Sequence, residues 1–220
     1  MSYEEEISVA FKAVRKASGL CLKVLNRSSG ISSVKKEDHS PVSVADLGSQ
    51  ATVTLDLLER FPADPIVGEE EAETLRRHAD LKKMVLELVK SENESINEKT
   101  LLETVDYGAK DFDPKKRFWT LDPIDGTKGF LRGDQFAIAL ALVEDGEVVL
   151  GVLGCPNLIM NDSKNEKKGA ILYAIKGMGA FSSALDGSGK KRVSVDGVTE
   201  MSSARFCESV EKAHASHDKH

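Results

Sequence analysis

The period of the hydrophobic pattern changes once along the chain, near residue 117, and this change constrains the fold more than any other feature. Before it, apolar residues recur every three or four positions and predict amphipathic helices. After it, short apolar runs separated by turn residues predict strands. Helices followed by a meander of strands favour an α+β fold built in layers over a doubly wound parallel sheet.

The first half predicts three helices. The first carries one apolar stripe, formed by Ile7, Phe11, Val14, Ala17, Cys21 and Leu25, and it ends at Gly30. Pro41 introduces a short extended piece over 42–44, and Asp46 stands where the second helix begins, with a buried side formed by Leu47, Ala51, Leu55 and Leu58. A two-residue strand, 66–67, then runs into the acidic segment Gly68-Glu69-Glu70-Glu71, ahead of a third helix marked by Leu81, Met84, Val85, Leu88 and Val89.

The second half predicts a sheet. Apolar runs over 136–143 and 148–153 flank the turn 144–147, where Asp145-Gly146 supplies the residues that a tight hairpin needs. Nearly continuous apolarity in both runs predicts a sheet that is covered on both faces. We expect 161–168 and 186–191 to be loops, and further strands over 170–175, 179–182 and 193–195.

Charge and cysteine content narrow the classes of function. The net charge is −6, with 36 acidic and 30 basic residues, which argues against a nucleic acid partner bound through a basic face. No apolar run approaches about 18 residues, so we expect no membrane span. The acidic N-terminus and three widely separated cysteines, Cys21, Cys155 and Cys207, predict an intracellular and cytoplasmic protein with reduced thiols.

Carboxylates stand where predicted strands end or helices begin: Asp46, the Glu69–Glu71 run, and Asp122 with Asp125. Taken singly, each has an ordinary interpretation, namely a helix cap, a solvated acidic face and an Asp-rich turn. If they converge, their repulsion requires a cation, and hard oxygen ligands suit Mg²⁺. A magnesium site of this kind can lower the pKa of a bound water and polarise a phosphoryl group.

The segment Asp122-Pro123-Ile124-Asp125-Gly126-Thr127 is the sharpest of these signals. Pro123 stiffens the chain, so that both aspartates can lie on one side of a tight turn, with the Ile124 carbonyl facing inward. Gly126 permits close approach of the backbone, and Thr127 places a hydroxyl beside the acids.

Together, 67–70 (Val-Gly-Glu-Glu) and 119–127 (Trp-Thr-Leu-Asp-Pro-Ile-Asp-Gly-Thr) resemble the lithium-sensitive, magnesium-dependent phosphatases of the inositol monophosphatase superfamily. The continuation 128–135 and the segment 41–46 look like its 3′(2′),5′-bisphosphate nucleotidase branch, of plant and fungal type. Lys128-Gly129-Phe130 carries the assignment to that branch, and the resemblance covers essentially all 220 residues.

The resemblance implies roles for individual residues. Mg²⁺ would be the cofactor, held by Glu69, Asp122, the Ile124 carbonyl and Asp125. Catalysis would depend on Asp46 and Thr127, which would orient and deprotonate the attacking water, and substrate binding on Thr127 and His214. The partner would be a small molecule, 3′-phosphoadenosine 5′-phosphate, hydrolysed to AMP and phosphate, with no nucleic acid polymer and no membrane involved. The alternative for His214 is a surface histidine in a His-rich tail.

The resemblance also implies a fold, the sugar-phosphatase type of α-β-α-β-α layering, of which this chain would hold the N-terminal α+β portion. We expect a metal-binding α+β domain over 1–200 and the start of a C-terminally truncated substrate-binding domain over 201–220. A Trp-Asp-x-x-Ala-Gly motif that supplies a further metal ligand in the family is missing here. We therefore expect exposed apolar surface on the sheet and weak activity at best.

Other functions remain open at this point. The family includes members that act on 3′-phosphoadenylyl sulfate or inositol polyphosphates, so 1-phosphatase activity on the latter is an alternative. A truncated pseudo-phosphatase that binds nucleotide or metal without turnover is another. Haloacid-dehalogenase-like phosphatases use Asp-x-Asp-Gly-Thr with a covalent aspartate, whereas Asp122 and Asp125 are three positions apart, a spacing that fits metal ligation better.

Overall fold

A computed structural model describes residues 3–26, 33–35, 41–108, 112–162 and 165–205. The helices are α1 (Glu4–Leu25), α2 (Val44–Arg60), α3 (Glu73–Arg77), α4 (Ala79–Lys90), α5 (Glu98–Tyr107) and α6 (Thr127–Arg132), with a 3₁₀ turn at Met201–Ser203. The strands are β1 (Ser33–Lys35), β2 (Pro41–Ser43), β3 (Ile66–Val67), β4 (Phe118–Asp125), β5 (Ala137–Glu144), β6 (Glu147–Asp162), β7 (Asn165–Ile175), β8 (Gly179–Ala184) and β9 (Lys191–Val193).

Seven strands form one sheet whose spatial order follows the chain, from β3 to β9. The β3–β4 pair is parallel, and every later pair is antiparallel, as in a meander. Helix α1 packs along α2 and lies on β5 and β6, while α2 contacts β4, α4 and α5. The predicted α+β class is therefore confirmed, with helices layered on one face of the sheet.

The contact between α1 and the sheet is close because β6 has a glycine at the crossing. A Cβ atom on Gly154 would lie 2.5 Å from the Ser18 hydroxyl oxygen and 2.6 Å from a Val14 methyl group. A larger residue would require the Ser18 and Val14 side chains, or the helix itself, to shift. The helix buries its small residues against this surface, and Ala10, Ala13 and Ala17 are fully buried.

An ion-pair cluster around Arg117 fastens the N-terminus of α1 to the beginning of β4. The guanidinium contacts Asp64 at 2.8 Å, Glu144 at 2.7 Å and Glu6 at 3.2 Å. It also lies 5.5 Å from the centre of the Phe61 ring. These partners raise the pKa of Arg117, against the opposing effect of burial, so the charge is permanent. The Arg117 side chain thus joins α1, the segment before β3, the start of β4 and the end of β5.

The second face of the sheet is open among the described residues. A concavity of about 410 Å³ lies on it, lined by Ala139, Leu140, Gly151, Val152, Leu153, Leu172, Tyr173, Ala174, Ala180, Phe181 and Val193. Leu153 is 41% exposed, and along β5 buried residues alternate with half-buried ones. The prediction of a sheet covered on both faces is therefore wrong for the described chain, whereas the expected exposed apolar surface is confirmed.

Several element predictions need correction. The loop predicted over 161–168 is wrong, because β6 continues to Asp162 and β7 begins at Asn165. The two strands stay paired through a register shift between Cys155 and Ile159. Backbone hydrogen bonds alone extend such a ribbon, so polar side chains do not end it. The last strand lies at Lys191–Val193, two residues earlier than predicted.

Three short helices, α3, α5 and α6, were absent from the prediction. Helix α5 depends on a local signal, because the Asn97 side chain caps it by accepting a hydrogen bond from the Thr100 N–H at 3.0 Å. Helix α2 begins at Val44, so the extended piece ends one residue earlier than predicted. Within the described ranges, no helix has the length and apolar character needed to cross a membrane.

Candidate active site

Two acidic segments meet at one edge of the sheet because β3 and β4 are parallel. Val67 pairs with Thr120, and two residues further along these strands stand Glu69 and Asp122. Parallel strands end at the same edge, so the two carboxylates become neighbours there. Asp125 ends β4 and is exposed at the same edge.

The electrostatics of Asp122 show that the carboxylates interact. Burial raises the pKa of Asp122 to about 6, with the nearby charges of Glu69 and Asp125 adding to the effect. The Ile124 N–H donates to an Asp122 carboxylate oxygen at 3.1 Å, which opposes the rise only in part. The edge therefore carries an excess of negative charge that a cation would relieve.

The turn that follows β4 is fixed on several sides. Gly126 has φ +86°, in the left-handed region that favours glycine, and α6 begins at the next residue. The Thr127 hydroxyl donates to the Ile124 carbonyl at 3.2 Å, and the Ile124 side chain is buried. A carbonyl oxygen has two lone pairs, so that of Ile124 can still accept another partner. The end of β4 and this turn thus present the Ile124 carbonyl beside the two aspartates.

Asp46 lies in the first turn of α2, where it is 2% exposed. The helix begins two residues before it, so both the helix start predicted at Asp46 and the alternative that it caps the helix are wrong. Ser49, one turn later on the same face, donates to the Pro123 carbonyl at 2.9 Å. This face of α2 therefore contacts the end of β4, which carries Asp122 and Asp125. Burial and the charge of Asp46 raise the pKa of the adjacent Cys21 thiol.

Gln50 is a site residue that the sequence analysis missed. Its side-chain oxygen accepts from the N–H groups of Glu69 at 3.0 Å and Glu70 at 2.8 Å. Its side-chain nitrogen donates to the carbonyls of Glu70 at 2.7 Å and Val105 at 3.1 Å. The available signal was an amide among the buried positions of α2, beside Ala51.

Asn157 was also missed, and it supports the loop after α6. This residue lies in the irregular part of β6 and is 5% exposed. Its amide donates to the Asp134 carbonyl at 2.6 Å and the Gly133 carbonyl at 3.3 Å, and its own carbonyl accepts from the Gln135 side chain at 2.8 Å. A bulge inside a strand gives no periodic signal, which explains the omission.

The donor set fits a hard divalent cation. The carboxylates of Glu69, Asp122 and Asp125 and the Ile124 carbonyl are all oxygen ligands of the kind that Mg²⁺ prefers. In the part of the chain that the structure describes, no three His, Cys, Asp or Glu side chains converge closely enough to form a finished metal cluster. The mutual repulsion at Asp122 is therefore the observation that favours a cation here.

Glu69 and Asp125 lie near enough to Asp122 to raise its pKa, although these carboxylates do not close into a metal cluster among the described residues, and Thr127 is hydrogen-bonded to Ile124. Asp46 lies on the face of α2 from which Ser49 donates to the Pro123 carbonyl. His214 lies outside the described residues, as do Cys207 and the end of the chain beyond residue 205. Of the other two cysteines, Cys21 is buried and Cys155 half-buried, and both are free thiols.

Comparison with known proteins decides the family. The model of the inositol monophosphatase family matches residues 2–220. The chain belongs to this family. It is 40% identical to 3′(2′),5′-bisphosphate nucleotidase 1 of Candida albicans, over 98% of this chain and 66% of that protein. It is 41% identical to 3′(2′),5′-bisphosphate nucleotidase 1 of Arabidopsis thaliana, over 99% of this chain and 68% of that protein.

Solved structures agree on the fold. The Thermotoga maritima IMPase TM1415 matches with a TM-score of 0.55 and 25% identity, over 88% of this chain and 54% of that one. The suhB protein of Bartonella henselae matches with a TM-score of 0.52 and 20% identity, over 81% and 52%. The chain thus spans about two thirds of the length of its curated relatives and about half that of these structures.

Proposed function

We propose that this protein is a magnesium-dependent phosphatase that removes the 3′-phosphate of 3′-phosphoadenosine 5′-phosphate and yields AMP and phosphate. The observation that carries the proposal is the edge where Glu69, just after β3, and Asp122, in the adjacent parallel strand β4, interact electrostatically with each other and with Asp125. The names of relatives at about 40% identity support the substrate. Membership of the family sets aside the haloacid-dehalogenase alternative and its covalent aspartate.

The proposed mechanism gives a role to each of the six residues named below. Glu69, Asp122, Asp125 and the Ile124 carbonyl would hold Mg²⁺, which when bound lowers the pKa of water and stabilises charge on the phosphoryl group. The Thr127 hydroxyl orients the attacking water, and Asp46 accepts its proton. Water attacks phosphorus in line with the 3′-oxygen, that P–O bond breaks, and the leaving oxygen takes up a proton.

Burial suits Asp46 to this role. At 2% exposure the Asp46 carboxylate is shielded from bulk solvent, as suits a group that receives one proton from a bound water. Thr127 and His214 are the proposed substrate contacts. Lithium is expected to inhibit by replacing a magnesium ion. The intracellular and cytoplasmic location, like the domain division at residue 200, stays a prediction.

One assay distinguishes the proposed substrate from the alternative substrates and from a pseudo-phosphatase without turnover. Phosphate release is measured from purified protein with 3′-phosphoadenosine 5′-phosphate, 3′-phosphoadenylyl sulfate or an inositol polyphosphate, with Mg²⁺ and with or without Li⁺. The proposal expects lithium-sensitive release from the adenosine bisphosphate that is lost in Asp122→Asn. For a protein made of these 220 residues alone, we expect turnover well below that of the longer relatives.

Two results would contradict the proposal. Preferred release from inositol polyphosphates would move the assignment to a 1-phosphatase. Metal-dependent nucleotide binding without any release would indicate the pseudo-phosphatase alternative. In both cases, Asp122→Asn serves as the control, because it removes one carboxylate and conserves the size of the side chain.

A further inference from the structure

We infer that Gln50 is a positioning residue that holds Glu69 opposite Asp122, and that metal binding at this edge depends on its side-chain amide. This inference rests on the proposed metal site, and it concerns a residue outside the set of ligands. Gln50 is fully buried, and its four hydrogen bonds all go to backbone groups far from it in the chain.

The amide decides which glutamate faces the site. One oxygen of Gln50 accepts from two successive N–H groups, those of Glu69 and Glu70. This pins the backbone in one conformation, in which the Glu69 side chain is exposed at the sheet edge and Glu70 is 3% exposed. Without the amide, two buried backbone groups of Glu70 and the part-buried N–H of Glu69 would lose a partner, which favours rearrangement of the segment.

The packing around the amide leaves little room for adjustment. A Cβ atom on Gly68 would lie 2.5 Å from the Gln50 side-chain oxygen, and one on Gly108 would lie 3.2 Å from its nitrogen. The Gly68 N–H also donates to the Gly108 carbonyl at 2.9 Å. Gln50 thus occupies a junction of α2, the end of β3 and the end of α5, and the backbone is close to it on both sides.

Two neighbouring residues of α2 hold the two halves of the acidic edge. Ser49 donates to the Pro123 carbonyl near the end of β4, and Gln50 binds the segment after β3. Since both come from one turn of one helix, α2 sets the separation between Glu69 and the Asp122–Asp125 turn. Loss of a partner that orients a metal ligand typically weakens metal binding about 10- to 100-fold.

The test measures binding of Mn²⁺ alone to the purified chain, by electron paramagnetic resonance of the free ion. We expect Gln50→Leu, which is similar in size, to weaken Mn²⁺ binding about 10- to 100-fold. Gln50→Glu keeps the acceptor oxygens and loses both donations, so an intermediate loss is expected. Leu57→Ala, at a buried position of α2 remote from these bonds, is the control for lost stability and is expected to bind Mn²⁺ as the parent protein does.

A second variant keeps the test decisive if Gln50→Leu does not fold. Gly68→Ala places a methyl group against the Gln50 amide and is expected to weaken Mn²⁺ binding. In a protein that already carries Gln50→Ala, the amide is gone, and adding Gly68→Ala is expected to weaken Mn²⁺ binding less. Hydrogen exchange at the Glu69 and Glu70 N–H groups is expected to accelerate in the Gln50 variants and not in Leu57→Ala.

The inference is overturned if folded Gln50→Leu binds Mn²⁺ as tightly as the parent, if Leu57→Ala loses as much, or if the parent binds no Mn²⁺. A parent protein that binds Mn²⁺ but releases no phosphate contradicts the proposed function alone. The two failures are therefore distinguishable.

Discussion

Glu69 and Asp122 stand at equivalent positions, each two residues beyond the last paired residues of two parallel strands. The pairing of Val67 with Thr120 therefore sets their relative position, together with the α2 contacts to both segments. Burial raises the pKa of Asp122, and the proximity of Glu69 and Asp125 raises it further. The following predictions test this edge and the interactions that support it.

Asp122→Asn is expected to stabilise the metal-free protein at pH 7 while it abolishes metal binding. The substitution removes a half-buried charge that two other carboxylates repel. After allowance for solvent screening, the gain is about 1 kcal/mol, or about 2–4 °C in the midpoint of thermal unfolding. Unfolding is followed with EDTA and with Mg²⁺. Glu71→Gln, an exposed neighbour outside the proposed ligands, is the control, and an equal gain there would refute the explanation.

The contribution of Asp122 to the stability of the metal-free protein is expected to fall as the pH rises from about 4 to about 6. The pKa of Asp122 is about 6 in the folded state against 3.8 as its ordinary value, so the folded state binds the extra proton in this window. The resulting stabilisation is complete below pH 4 and is lost as the pH passes 6. Urea unfolding in EDTA at several pH values measures it as the difference between the parent and Asp122→Asn. A difference that does not vary with pH in this window contradicts the assignment.

Gly126→Ala is expected to cost about 1–2 kcal/mol and to weaken metal binding, because φ +86° is strained for any residue with a Cβ atom. The matched control is Gly133→Ala at the other end of α6, where φ is +75° and no atom would touch the added methyl group. Both variants should lose similar stability in urea, but only Gly126→Ala should bind Mn²⁺ more weakly. Equal binding by the two would show that the strain at Gly126 does not reach the ligands.

Arg117→Met is expected to lower the free energy of unfolding by about 1–2 kcal/mol, since three carboxylates lose a common partner in a half-exposed cluster. Arg117→Lys should recover only part of this, because an ammonium group cannot reproduce the forked contacts to Asp64 and Glu144. Urea unfolding at low and high salt measures the effect, and the loss should shrink at high salt. Arg117 lies before β4, at the opposite end from Asp122, so Mn²⁺ binding by the folded variants should not change.

The division of the chain into a helical half and a strand half could be predicted from the sequence, because the hydrophobic period reports which residues face the core. The α1 stripe and the Asp145-Gly146 turn are the strongest cases, and the turn has positive φ at both residues. The acidic turn was found because its residues are adjacent in the chain. Gln50 and Asn157 were missed because their partners are distant in sequence and are backbone groups, which carry no residue-type signal. The length of the β6–β7 ribbon was missed for a related reason, since backbone pairing sustains it.

The parallel pairing of β3 with β4 has a consequence for assembly of the chain. It joins a strand from the helical half to the first strand of the meander, so the acidic edge exists only when the two halves have docked. A cation held by Glu69 and Asp122 would link the two halves of the chain. Its binding energy would oppose separation of the helical half from the meander. Metal would then protect the junction from proteases before it affects the outer strands β8 and β9.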